Sequence, residues 1–305
     1  MNARVETRGQ LKDDEVGAVL ALVEAAAESD GVRPLNEHAM LHLRYGGGGE
    51  ARAVLLYDDT TLVGYAHIDL ADPDEGPSGE LVIAPGHRRR GHGRALLSAA
   101  LDLTGGRLRL WAHGDHPGAV RLAASLGLTR ARSLWQMRRS LSAAIPTATV
   151  PDGVRLRTFV PGQDEDAWIA LNALAFAHHP EQGSWRRPDL ERREQEPWFD
   201  PAGFFVAERG GRLAGFHWTK VHRDGEHADD PIGEVYVVGV DPSEQGSGLG
   251  RALTLTGLNH LRALGLSQVM LYVDEENVPA IRLYESLGFA RWNTDVMYGT
   301  TFDKA

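Results

Sequence analysis

Apolar positions recur along the chain with two periods, and the switches between them mark an alternation of strands and helices. In the second half, Arg155 to Phe159 alternates apolar and polar positions as a short strand does, while Glu165 to Ala175 carries its apolar residues at helical spacing. Phe204 to Ala207 and Gly215 to Val221 predict two strands paired across the turn Gly210-Gly211-Arg212. Glu234 to Val240 predicts a valine-rich strand, Gly250 to Ala263 a helix, and Gln268 to Val273 another strand. Val278 to Leu287 reads as a helix ended by Gly288, and Phe289 to Met297 as the strand that ends this sheet. The fold class is α/β, an α+β mixed sheet with helices on its faces.

The pattern occurs twice. Leu81-Val82-Ile83-Ala84-Pro85-Gly86-His87-Arg88-Arg89-Arg90-Gly91-His92-Gly93-Arg94 matches Val238-Gly239-Val240-Asp241-Pro242-Ser243-Glu244-Gln245-Gly246-Ser247-Gly248-Leu249-Gly250-Arg251 at an offset of 157. Further on, Ala119 to Leu128 matches Ala280 to Phe289 at an offset of 161. Two collinear matches separated by a shift of four residues indicate a duplicated domain. The seam is the small, Pro-containing, aperiodic stretch 142–153, so we expect domains at 1–141 and 154–305 joined by that linker.

Composition narrows the chemistry. The 305 residues suit two domains of ordinary size, and 42% hydrophobic content supports real cores. The net charge of -10 is uneven: 17 Lys and Arg face 18 Asp and Glu through position 145, and 15 face 24 thereafter. An acidic second half is a poor surface for nucleic acid and a reasonable collector for an amine-bearing substrate, although an acidic solvated face that only aids solubility is the commoner reading. No apolar run approaches the roughly 18 residues of a membrane span, and Met1 to Glu6 lacks a secretory pattern, so a cytoplasmic location is expected. The absence of cysteine removes thiol nucleophiles, Cys-ligated metals and disulfides together.

The segment Gln245-Gly246-Ser247-Gly248-Leu249-Gly250 lies between a strand and a helix. Glycines let the backbone bend closely around a ligand, and the free N–H groups of the first helical turn point at it, so the segment suits a pyrophosphate. It lacks the Gly-Lys-Ser/Thr ending of a Walker loop and the G-x-G-x-x-G spacing of a dinucleotide fold. Gln245-x-x-Gly248-x-Gly250 and Arg88-x-x-Gly91-x-Gly93 resemble the R/Q-x-x-G-x-G/A signature of the GCN5-related N-acetyltransferases. Asn277-x-x-Ala280-x-x-Leu283-Tyr284-x-x-x-Gly288-Phe289 is similar to that family's second signature. The resemblance implies two tandem GCN5-related N-acetyltransferase folds. It implies acetyl-CoA as cosubstrate, held by Leu81, Val82, Ile83, Arg88, Arg89, Arg90, Gly91, His92, Gly93 and Arg94 in the first copy. In the second copy it implies Val238, Gly239, Val240, Gln245, Gly246, Ser247, Gly248, Leu249, Gly250 and Arg251, with Asn277, Val278, Pro279, Ala280, Ile281 and Arg282. Trp111 to Gly114, His179 to Gly183, Gly215 to His222 and Gly233 to Val237 extend the likeness to tandem members of the family. The resemblance implies acetylation of the cysteinyl amine of a glucosaminyl-inositol conjugate.

In such a family the amine attacks the thioester directly, so no enzyme thiol is required. The resemblance implies Glu234 as base, acting through water, and Tyr284 as donor to the departing thiolate. It also points to Glu37, Glu181, Lys220, Glu234 and Tyr272 as contacts for the substrate, which would place that site between domains. Taken alone, Tyr284 could be a helix-packing aromatic, Glu234 a strand-end carboxylate, Glu37 a first-turn residue and Lys220 a solvated strand charge. At the offsets above, Ala123 stands where Tyr284 does and Pro77 where Glu234 does, so the first copy is expected to bind acetyl-CoA and to be catalytically degenerate, unless nearby Glu80 substitutes.

Thirteen histidines prompt a metal search, but His178-His179, His217 and His222 show no ligand spacing and no metal is expected. Arg88-Arg89-Arg90 has a nearer explanation in the phosphates of CoA than in nucleic acid. A monomer acting on a small-molecule amine is therefore expected. Another amine, such as an aminoglycoside or a protein N-terminus, and a non-catalytic acetyl-CoA-binding module remain open.

Overall fold

The computed structural model describes residues 3–46, 49–71, 75–177, 180–223 and 230–300, with side chains for all of them except 180 and 181. In chain order the elements are β1 (Ala3–Arg8), α1 (Asp13–Asp30), α2 (Glu37–Tyr45), β2 (Ala51–Asp58), β3 (Thr61–Asp69), β4 (Ser78–Ile83), α3 (His92–Leu103), β5 (Arg109–Ala112), α4 (Pro117–Ser125) and β6 (Leu128–Ser140). The second half follows with β7 (Val154–Thr158), α5 (Glu165–Ala175), α6 (Pro180–Gly183), α7 (Arg187–Glu194), β8 (Phe204–Arg209), β9 (Arg212–His222), β10 (Ile232–Val240), α8 (Leu249–Ala263), β11 (Gln268–Asp274), α9 (Val278–Ser286) and β12 (Ala290–Thr300). Among the described residues, no helix is long and apolar enough to cross a membrane.

The chain forms two compact units. The first comprises Met1–Trp135, Asp274–Glu276 and Asn293–Ala305; the second comprises Gln136–Val273 and Asn277–Trp292. In the first, the strands run in the order β1-β2-β3-β4-β5-β12, and β4 and β5 are parallel. Strand alternation divides its core in two: Val54 and Leu56 face a cluster with Leu96, Leu97 and Ala100 of α3, while Ala53 and Leu55 face one with Val19, Leu22 and Val23 of α1. The α1 helix starts on Asp13, Asp14 and Glu15, which favour the positive end of its dipole, and stops at Gly31 in the left-handed conformation.

The second unit has the order β6-β11-β10-β9-β8-β7, with β10 and β11 parallel. One core cluster is aromatic: Phe204 stacks between Phe159 and Trp218 at centroid distances of 4.3 and 4.5 Å, with Trp168 set edge-on. On the opposite face Leu249 and Leu253 of α8 bury against Ala207 and Ala214.

The closing strand differs from the sequence expectation. Residues 293–300 of β12 do not end the second copy's sheet; Val296 to Gly299 pair antiparallel with Ala112 to Arg109 of β5, in the first unit. In the second unit the place beside β11 is taken by residues 136–140 of β6, where Gln136 Nε2 donates to Tyr272 Oη at 2.8 Å and the following Leu141 N–H donates to the Ser267 carbonyl at 2.8 Å. A period of two identifies a strand and its faces but carries no information about which ladder it joins.

Candidate active site

Each parallel strand pair is short. Among the described residues, β10 pairs with β11 only from Gly233–Val269 to Val235–Leu271, and β4 with β5 only from Ser78–Arg109 to Glu80–Trp111. Beyond these points the strands part. Val238, Gly239 and Val240 keep their ladder to β9 on one side and leave the other edge for an added strand. Leu81, Val82 and Ile83 stand in the same relation to β3.

The parting in the second unit coincides with a bulge. Register on β9 shifts between Val235 and Val237, so Tyr236 is the extra residue, whereas the β3–β4 ladder is continuous. The bulge moves the correspondence between copies by one position. Glu234 pairs with Lys220, and the first-unit residue at that ladder position is Ser78, paired with Asp69, in place of the Pro77 indicated by the offset of 157. Ser78 supplies no carboxylate.

A one-turn 3-10 helix at Pro242–Glu244 leads into the glycine loop. Gly246 and Gly248 take φ of +80° and +88°, and Gly248 caps α8, whose first-turn N–H groups have no intrahelical acceptors. Gln245, Gly246, Ser247 and Gly248 are exposed. In the first unit Gly91 caps α3 at φ +85°, and Arg89 takes φ +63° where the second copy has Gly246. Arg88 is held by Asp30 through hydrogen bonds of 2.6 and 2.7 Å and by the Ile83 carbonyl at 3.1 Å. His92 turns inward, its Nε2 3.6 Å from Asp58. Arg90 is exposed, and Arg94 reaches the Ser125 carbonyl as Arg251 reaches the Ser286 hydroxyl. Gly93 packs against Leu122 and Gly250 against Val240. Asn277 caps α9 by accepting from the Ala280 N–H; Val278 is 46% exposed, Pro279 and Arg282 are exposed, and Ile281 is buried.

Glu234 is buried on β10, and its Oε2 lies 2.7 Å from His222 Nε2. Lys220, directly across the ladder, is also buried, with Nζ 4.5 Å from the Trp198 ring centroid and 5.3 Å from that of Tyr236. The Tyr236 hydroxyl in turn lies 2.8 Å from Arg193 Nε. Tyr284 packs its buried ring edge-on to Phe289 at 5.8 Å. Burial pushes its phenol up to about 12, so it stays protonated. Tyr272 accepts from Gln136.

The second unit thus holds Lys220, Glu234, Tyr272, Tyr284, the open edge of β10 and the glycine loop. Glu37 opens α2 in the first unit and is half-buried. Glu181 lies in α6, its side chain outside the described residues, as is the pair His178-His179. Glu80 is fully engaged: Oε1 meets His113 Nε2 at 2.9 Å, and Oε2 accepts from the Asn36 N–H at 2.8 Å. His113 also binds Asp295 at 2.8 Å. Burial by itself would lower the imidazole, but Asp295 and Glu80 together hold it well above its ordinary value. Among the described residues, no group of three or more His, Asp or Glu side chains is arranged to hold a metal ion. Sequence reasoning missed the contacts of His222, Trp198, Tyr236, Arg193 and Gln136; strand alternation places His222 on the face of Lys220, but its pairing with Glu234 depends on a hairpin register that the intervening residues do not encode.

A family model described as acetyltransferase (GNAT) matches residues 21–128 and 169–289. The chain is similar to the mycothiol acetyltransferase of Streptosporangium roseum, with 66% identity covering 98% of this chain and 99% of that protein. It is similar to that of Thermobispora bispora at 66% identity, with the same two coverages. Among solved structures, a tandem GNAT protein from the clavulanic acid biosynthesis pathway shares the fold at a TM-score of 0.73 and 23% identity, covering 99% of this chain and all of that one. A GCN5-related N-acetyltransferase from Sphaerobacter thermophilus does so at a TM-score of 0.68 and 24% identity, covering 97% and 95%.

Proposed function

The chain belongs to the acetyltransferase (GNAT) family, and from that premise we propose that it moves the acetyl group of acetyl-CoA to the cysteinyl amine of a glucosaminyl-inositol conjugate, giving mycothiol and CoA. The acceptor is supported by the near-full-length likeness to mycothiol acetyltransferases, and the observation that carries the chemistry is the placement of Glu234 on the strand whose open edge runs into the glycine loop. Residues 1–141 are in this reading an acetyl-CoA-binding, catalytically degenerate copy, 142–153 a linker, and 154–305 the catalytic copy.

The residues fit the cosubstrate. The unpaired edge at Val238, Gly239 and Val240 can pair with the pantetheine as a strand would, and their N–H groups can meet the charge that develops on the thioester oxygen. The glycine loop and the first turn of α8 receive the pyrophosphate. Val278, exposed at the start of α9, can add apolar cover for the cosubstrate. Glu234, through a water, takes one proton from the ammonium; attack by the freed amine forms the C–N bond and breaks the C–S bond, the second proton that the nitrogen sheds as the amide forms goes to the sulfur so that CoA leaves as the thiol, and Tyr284 donates its hydrogen bond to the sulfur as the electron pair moves there. Because burial separates the phenol further from a thiol of about 8.5, Tyr284 stabilises the thiolate chiefly as a hydrogen-bond donor. Lys220, Tyr272 and Glu181, all of the second unit, contact the hydroxyl-rich acceptor. A cytoplasmic monomer is part of the same proposal.

CoA release measured with purified protein and a panel of amines tests it. Activity on the cysteinyl aminosugar-inositol and not on aminoglycosides or peptides is expected; the reverse order overturns the acceptor, and no release with any amine favours a binding module.

A further inference from the structure

We propose that His222 is a positioning residue for the acetyl transfer, acting through Glu234; the inference rests on the reading of Glu234 as base. On the antiparallel β9–β10 ladder His222 faces Ile232 and Glu234 faces Lys220, so His222 and Glu234 are diagonal neighbours on one face. An ionised carboxylate only accepts, so the 2.7 Å contact is the His222 Nε2–H donating to Oε2. Both side chains are nearly closed to solvent, at 5% and 8% exposure. Bulk water therefore competes little for the bond to Oε2, and the bond governs the carboxylate's rotamer.

Two cations bear on a carboxylate at this ladder position. One is the substrate ammonium; the other is Lys220, directly across the strand pair. A carboxylate turned fully onto Lys220 forms a buried ion pair, loses basicity and points away from the proton it has to take. The bond from His222 fixes one oxygen on the β9 side and orients the other for the relaying water. His222 moves no proton itself. The proton passes from the ammonium to Glu234 by way of that water, and the imidazole is the same before and after. The first unit lacks the pair, because the ladder counterpart of Glu234 is Ser78.

Four forms of the full chain decide the point: H222L, H222Q, E234Q and the double variant H222L/E234Q, each assayed for kcat and for KM of acetyl-CoA, with thermal melts alongside. Leucine removes the donor, while the glutamine amide nitrogen reaches close to the position of imidazole Nε2. H222L is expected to lower kcat by roughly 10-fold or more while KM for acetyl-CoA stays within about 2-fold, H222Q to recover to within about 3-fold of wild type, and H222L to add no further loss once E234Q is present. Independent, multiplying losses in the double variant overturn the inference, as does an H222Q no better than H222L. If H222L does not fold, the comparison passes to H222Q and H222N, whose shorter amide does not reach Oε2; equal kcat in those two overturns it. E234Q at full kcat removes the base reading and this inference together, whereas a crippled E234Q beside an unaffected H222L removes this inference alone.

Discussion

A Cβ built on Gly257 would stand 2.1 Å from the His217 imidazole. The α8 helix that follows the glycine loop therefore lies directly on β9, with His217 Nδ1 donating to the Leu253 carbonyl at 2.8 Å. Gly257→Ala must push the helix off the sheet or the ring off its bond. We expect a loss of about 1–3 kcal/mol, seen as a lower midpoint in urea, together with a raised KM for acetyl-CoA because the displaced helix carries the phosphate loop. An unchanged midpoint would show that the contact relaxes freely.

Buried histidines give stability a pH dependence with two opposed signs. Burial lowers His67 and His217 to about 4, against about 6.5 unfolded, so the unfolded chain binds more protons between these values. Stability from these two is present above pH 6.5 and is lost as pH falls through about 4, by roughly 3 kcal/mol each. His113 runs the other way: its raised value stabilises fully below pH 6.5, and that contribution is lost as pH rises through the folded value. Denaturant midpoints from pH 4 to 8 should fall steeply on the acid side, and His67→Leu should flatten that limb. An identical slope in the variant contradicts the assignment.

The glycine loop separates backbone from side-chain effects. A Cβ on Gly248 meets nothing within 4 Å, so Gly248→Val acts through its φ of +88°, at a cost of about 1–3 kcal/mol. The KM for acetyl-CoA should rise roughly 5- to 100-fold with a smaller change in kcat. Gly246→Arg should be milder, because Arg89 already adopts φ +63° at the matching position of the first copy.

Removing the phenol should leave binding largely intact. Tyr284→Phe keeps the ring against Phe289 and deletes only the hydroxyl. A fall in kcat of roughly 10²-fold with KM for acetyl-CoA within about 2-fold is expected from steady-state rates. A variant at wild-type kcat would return Tyr284 to the role of a packing aromatic.

Much of this was legible in the residues. The doubled glycine loop, the helix from Glu165 to Ala175 and the end of α9 at Gly288 follow from local rules of period and capping, which need no partner. What escaped the sequence is what depends on pairing between distant segments. The bulge at Tyr236 shifts the counterpart of Glu234 from Pro77 to Ser78, and Val296 to Gly299 pair with β5. The contact between His222 and Glu234 spans two strands whose register appears only in the folded ladder. Glu80 looked available in the sequence; the fold commits both of its oxygens to His113 and Asn36.

The central claim is that one of two similar copies carries the chemistry. Single-turnover acetyl transfer to the cysteinyl glucosaminyl-inositol, followed by release of CoA, tests it most directly in two proteins: E234Q/Y284F, and the first-copy variant G91V/G93V. A loss of about 10³-fold or more is expected in the first and chemistry within about 3-fold of wild type in the second. Intact turnover in E234Q/Y284F with turnover abolished in G91V/G93V would place catalysis in the other copy and contradict it.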